Sequence, residues 1–182
     1  FPMEELIAME SLHGRGTTTT YLYLVDLTDG TVRKQYTVPS VPGFDDAPSV
    51  LRQNTNAFSQ DGTKVLLTVF EDYRYYLCHF DLEQGTGFYL EQSYAYLADF
   101  CFTPEGDVIS AGTPEKGDSS YGMYNYFSYL VENPTRVTGS DGETGQTLWS
   151  SDLSYYQISY DSELNLCRDG TEVLYTTANI CQ

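Results

Sequence analysis

His13 and His79 are the only imidazoles in the 182 residues, so acid–base chemistry has few candidates. A hydrolytic triad needs a nucleophile, a base and an orienting acid in contact. The G-x-S-x-G elbow is absent. GDSSYG at Gly117–Gly122 comes nearest, in a stretch that reads as loop. His79 follows Cys78 on an expected strand, where alternation sends the two side chains to opposite faces and prevents a Cys–His pair. Both histidines read as surface or hydrogen-bonded residues. No H-E-x-x-H, Walker loop or G-x-G-x-x-G occurs. Cys78, Cys101, Cys167 and Cys181 form no C-x-x-C pair, which argues against structural zinc. They allow three disulfide pairings, and a buried thiol is the simplest state of each. No catalytic residue, cofactor or metal site is expected.

The carboxylates and tyrosines offer binding chemistry instead. Asp26, Asp29, Asp61, Asp81, Asp141 and Asp169 fall in expected turns. Clustered carboxylates suit Ca²⁺, but no EF-hand loop is matched, and turn aspartates ordinarily accept backbone N–H bonds. Asp45 and Asp46 lie in a proline-rich connection, and loops carry function more often than regular elements do. Tyr121, Tyr124, Tyr126, Phe127 and Tyr129 form an aromatic run. On a strand, Tyr124 and Tyr126 share one face, and Phe127 and Tyr129 the other. One face packs in a core, and the other suits a sugar ring or a peptide. Tyr73, Tyr75 and Tyr76 admit the same two readings. The expected ligand-binding residues are Tyr121, Tyr124, Tyr126, Tyr129, Asp45 and Asp46.

The elements that must position these groups read as strands. Tyr, Val and Thr are abundant, with 17 Tyr, and no stretch sustains a 3.6-residue period with caps. Glu5–Leu12 reads as a strand or a short helix, and His13–Thr20 as a loop. Strands are expected at Tyr21–Val25, Thr31–Val38, Thr55–Ser59, Lys64–Phe70, Tyr75–Phe80 and Phe88–Gln92. Others are expected at Leu97–Phe102, Asp107–Ala111, Tyr121–Val131, Tyr155–Tyr160, Glu163–Cys167 and Glu172–Thr177. The turn before Trp149 is either ENPTR at Glu132–Arg136 or SDGETG at Ser140–Gly145.

Composition bounds the partners. The net charge is −17, from 26 acidic and 9 basic residues. That charge keeps the chain soluble and repels phosphate backbones and anionic membrane surfaces, so neither nucleic acid nor membrane insertion is expected. No stretch approaches the ~20 apolar residues of a membrane span, and no signal peptide opens the chain. A start at Phe1-Pro2 without methionine suggests a processed exported protein or a piece of a longer one. One domain is expected over residues 1–182.

Two turn types alternate along the chain: DLTDG, SQDG, DLEQG, TPEG, SDGETG, CRDG. The glycines of the second type, Gly62, Gly106 and Gly170, lie 44 and 64 residues apart. Two hairpins per unit at such a period is the pattern of a four-stranded propeller blade. FSQDGTKVLLT resembles the Ser-x-Asp-Gly hairpin of TolB-like and WD40-like propeller repeats. DGETGQTLW is similar to a hairpin of quinoprotein-type propellers. In such repeats the first hairpin joins the inner strand of a blade to the second. The Asp-x-x-x-Gly hairpin joins the third strand to the outer one. Glu105 stands where the repeat usually has Asp.

The resemblance implies an all-β, β-propeller-like fold of about three four-stranded blades, a partial or half propeller. The chain opens on an apparent second strand and closes on one. It is expected to belong to a longer protein, or to form a half-ring completed by a second copy. The expected role is a non-enzymatic binding or scaffold module of an exported or surface bacterial protein, with a protein or glycan ligand. The alternative is the propeller portion of a peptidase or glycan-active enzyme whose catalytic residues lie elsewhere.

Overall fold

The structure, a computed structural model, describes residues 5–13, 18–45, 48–50, 58–115, 133–153, 162–166 and 172–177. Every regular element in these segments is a strand, and every pairing is antiparallel. β1 (Glu5–His13), β2 (Thr18–Asp26) and β3 (Val32–Thr37) form a three-stranded sheet in chain order. The strand reading of Glu5–Leu12 is therefore the right one. Thr18, Thr19 and Thr20 belong to β2 rather than to a loop, consistent with the fit of threonine to a pleated surface.

A four-stranded meander follows: β4 (Ser49–Val50) with the bridge Phe58↔Val65, β5 (Lys64–Glu71), β6 (Arg74–Asp81) and β7 (Thr86–Tyr89). Phe58 and β4 pair with opposite ends of β5 and so mark the inner-strand position. A second meander comprises β8 (Tyr94–Phe102), β9 (Val108–Pro114), β10 (Arg136–Ser140) and β11 (Thr147–Asp152). The single pair Tyr75↔Tyr94 links the two. β12 (Ser162–Leu166) and β13 (Val173–Thr177) close the series as a hairpin.

The turn types mark strand positions as the repeat implies. SQDG and TPEG join first to second strands, and DLEQG and SDGETG join third to outer strands. SDGETG, not ENPTR, is thus the turn before Trp149. By the same rule DLTDG makes β2 a third strand, β3 an outer strand and β1 a second strand. Outer position shows in burial: β11 is exposed along its whole length, and β3 at every residue except half-buried Tyr36. The aromatic run at 121–129 lies outside the described residues, as do Tyr155–Tyr160 and the CRDG turn.

The core lies between meanders. KVLLTVF is a continuous apolar run apart from Lys64 and Thr68, which predicts a strand covered on both faces. Val65 through Val69 are all buried. Register assigns the faces. Val65, Leu67, Phe80 and Cys78 share the face toward β3, where Tyr36 meets Phe80 edge-on at 5.5 Å. Leu66, Leu77 and His79 share the other, where His79 meets Phe102 of the next meander. Each buried Leu or Phe contributes roughly 1.5–3 kcal/mol relative to exposure.

Two backbone features set local stability. Gly142 is buried where the two turns of the β8–β11 meander meet, and its N–H donates to Asp107 Oδ1 at 3.0 Å. A Cβ there would come within 1.9 Å of the Gly106 carbonyl oxygen. In the β5–β6 turn, Asp72 and Tyr73 both have positive φ, +47° and +61°. A two-residue hairpin favours this backbone with glycine, not tyrosine. Gly142→Ala is expected to cost about 1–3 kcal/mol in urea unfolding, because two backbones must separate. Tyr73→Gly should add about 1 kcal/mol. A Gly142→Ala variant as stable as the parent would refute the close packing of the turns, and a destabilised Tyr73→Gly would refute the strain.

Candidate functional site

The turns come first, because they build the end of the molecule where the site lies. Each described turn aspartate caps its own turn. Asp26 accepts from Thr28 N at 2.7 Å and Thr28 Oγ1 at 2.6 Å. Asp61 accepts from Thr63 N and from the Ser59 and Thr63 hydroxyls. Asp81 accepts from the backbone N–H groups of Glu83 and Gln84, each at 2.8 Å. Asp141 is capped by Thr144 and Glu143 in the same manner. These bonds favour the charged carboxylate and hold Asp26 and Asp61 down to about 2. The acidic turns are thus structural caps, and no group of three or more His, Cys, Asp or Glu suited to a metal occurs among the described residues.

Capping brings the turns of one meander together. Leu82 N donates to Thr63 O at 2.8 Å, joining DLEQG to SQDG. Beside these joined turns a cleft of about 310 Å³ opens between the two meanders. It is lined by Lys64, His79, Asp81, Gln84, Thr86 and Phe88 from one meander and by Gly142 and Glu143 from the other. Strand register explains the lining. Lys64, Asp81 and Thr86 stand opposite one another across β5, β6 and β7, and Leu66, His79 and Phe88 form the next row inward.

His79 is the unusual member. It is 3% exposed, stacks on Phe88 at 4.8 Å and presents to Phe102 at 5.5 Å. Neither ring nitrogen has a hydrogen-bond partner among the described residues. A neutral imidazole offers one donor and one acceptor, and leaving a buried polar group unpaired costs about 1–3 kcal/mol. Burial first, and then the Lys64 charge, push the imidazole down to about 4 against the opposing pull of Asp81. His79 is therefore neutral at pH 7. Cys78, its neighbour, lies on the opposite face, and burial pushes its thiol up to about 12. Cys101 is likewise a buried free thiol. Cys167 and Cys181 lie outside the described residues.

Of the expected binding residues, Asp45 is exposed in the connection between β3 and β4 and does not line the cleft. Asp46, Tyr121, Tyr124, Tyr126 and Tyr129 lie outside the described residues. His79 departs from its expected role, being buried yet unsatisfied. Lys64, Gln84, Thr86 and Phe88 were not singled out as binding residues by the sequence. The signal available was the turn itself: Asp-Leu-x-x-Gly pairs Asp81 with Thr86 and His79 with Phe88 once it is read as a hairpin.

No family model and no curated protein matches the sequence. Solved structures do. The β-propeller domain of the Trilobed protease from Pyrococcus furiosus, described as having an open velcro topology, superposes with a TM-score of 0.53 at 11% identity. That likeness covers 91% of this chain and 43% of the other. An acylaminoacyl peptidase in complex with Z-Gly-Gly-Phe-chloromethyl ketone gives 0.57 at 11% identity, over 97% of this chain and 27% of that one. The uncomplexed Pyrococcus horikoshii acylaminoacyl peptidase gives 0.55 at 11% identity, over 94% and 25%. The chain spans less than half the length of each. At this identity the likeness is one of fold: the chain has the β-propeller fold and forms part of a propeller, about three blades.

The neutral, buried state of His79 makes stability depend on pH. The unfolded chain takes up the proton near 6.5 and the folded chain only near 4, so between these values the unfolded state binds more protons. This contribution is complete above pH 6.5 and is lost as pH falls toward 4, by up to about 3 kcal/mol. His79→Phe should remove it, and denaturant titrations at several pH values measure it. Asp26 and Asp61 act lower, between their ordinary value of 3.8 and about 2, so the windows separate. An unchanged slope between pH 4 and 6.5 in His79→Phe would show that His79 is not the group responsible.

Proposed function

We propose that the chain is a non-catalytic binding or scaffold module, a run of propeller blades of the TolB-like or WD40-like repeat type. The observation that carries the reading is the seam cleft, where an unpartnered imidazole meets donors and acceptors and, among the described residues, no activated nucleophile. Cys78, the nucleophile nearest in sequence to His79, is held protonated on the other face of its strand. The ligand is a protein or a glycan, taken up at one end of the propeller where inter-blade loops meet. The excess of carboxylates fits an exported or cell-surface protein, soluble at high local concentration.

The ring is completed either by further blades of the same polypeptide or by a second copy.

A second reading has one observation in its favour: the solved structures that superpose on this chain include peptidase propellers. In that reading the chain is the propeller portion of a peptidase, with the reacting groups on another part of the polypeptide. A glycan array and an affinity pull-down test the first reading, and turnover of acylated amino-acid chromogenic substrates tests the second. Retention of a glycan or protein without turnover is the expected result. An empty array and an empty pull-down would overturn the binding reading. Turnover by a longer form carrying an added hydrolase domain, and not by these 182 residues, would establish the second.

A further inference from the structure

We propose that the cleft between the two complete meanders is a saccharide site, in which one neutral sugar ring hydrogen-bonds to Lys64, His79, Asp81, Gln84 and Thr86. This rests on the binding-module reading and names its ligand class.

Size comes first. About 310 Å³ stands at the lower end of small-molecule sites, which suits a single ring rather than a nucleotide or a folded peptide. The polar groups then select its chemistry. Sugar hydroxyls each donate and accept. The lining pairs a pure donor, Lys64, with pure acceptors, Asp81 and Glu143, and with groups that do both, Gln84, Thr86 and His79. Phe88 supplies an apolar wall for the C–H edge of a ring.

Charge excludes the simple ions. Lys64 and Asp81 stand directly opposite in one row, so an anion drawn to one is repelled by the other, and a cation likewise. The Lys64 ammonium makes no ion pair among the described residues, and its charge acts on His79. A neutral polar ligand uses both groups without that conflict. His79 is the strongest pointer. It is 97% buried, it lines the cleft, and both of its ring nitrogens are buried without a hydrogen-bond partner among the described residues. A hydroxyl placed there would satisfy a polar atom that the protein leaves unpaired.

The test is a titration of isotope-labelled protein with neutral mono- and disaccharides, followed by NMR at the His79 ring and the Gln84 side-chain amide. Amino acids and inorganic phosphate form the counter-panel. At least one saccharide should shift both sets of resonances with a Kd on the order of 1 mM. His79→Phe should weaken that binding at least about tenfold, and Gln84→Ala, at an exposed position, about three- to tenfold with an unchanged melting temperature. Should His79→Phe fail to fold, Gln84→Ala decides alone. The proposal is overturned if no saccharide moves the His79 resonances, if only the counter-panel does, or if a saccharide binds both variants as it binds the parent. In that last case a glycan is still bound elsewhere, so the binding-module reading survives while the cleft assignment fails. An array, a pull-down and a titration that are all empty remove both.

Discussion

The structure depends on sheets that are apolar on both faces and must therefore stack. Val65 to Val69 are buried without a break, so neither face of β5 can meet water. At roughly 25 cal/mol per Å², exposing either face would cost more than the few kcal/mol by which domains are stable. A meander of this kind has no stable existence alone. It needs β3 and Tyr36 on one side and Phe100 and Phe102 on the other. The register that alternates side chains between faces also decides which neighbour each residue serves.

Stacking explains why polar chemistry gathers at the strand ends. In the middle of a seam, apolar side chains from two meanders interdigitate. Toward the turns, cross-strand rows become polar, passing from Leu66–His79–Phe88 to Lys64–Asp81–Thr86 within two residues. Capped turns then fix the rim. Asp81 is held by two backbone N–H groups, and Gly142 is held by Asp107. The cleft is thus a consequence of neighbouring sheets packing tightly along the strands and separating where their turns begin. His79 sits at the crossover, with its ring in the apolar layer and its nitrogens left unpaired.

The same geometry gives the described turn aspartates a structural role. Turn aspartates are used one by one as caps, each satisfied by the N–H and hydroxyl groups of its own turn. Depressed carboxylates at Asp26 and Asp61 reflect that bonding. Among the described residues these carboxylates are distributed over separate turns.

The residue pattern by itself determined an all-β reading and the alternation of two turn types, while the place of each strand within a blade came from the resemblance to propeller repeats. β10 and β11 carried no strand signal, and Glu5–Leu12 stayed open between strand and helix. The all-β reading and the turn types follow from local rules: Asp-Gly and Asp-x-x-x-Gly chemistry requires particular backbone angles, and apolar runs without helical period require two-sided burial. It also placed Cys78 and His79 on opposite faces, because strand alternation is local. It could not bring Lys64 and Glu143 to the lining of one cleft, or leave His79 buried without a partner among the described residues. Those residues are far apart in sequence, their turn motifs say nothing of the cleft, and they line it together only because two meanders stack.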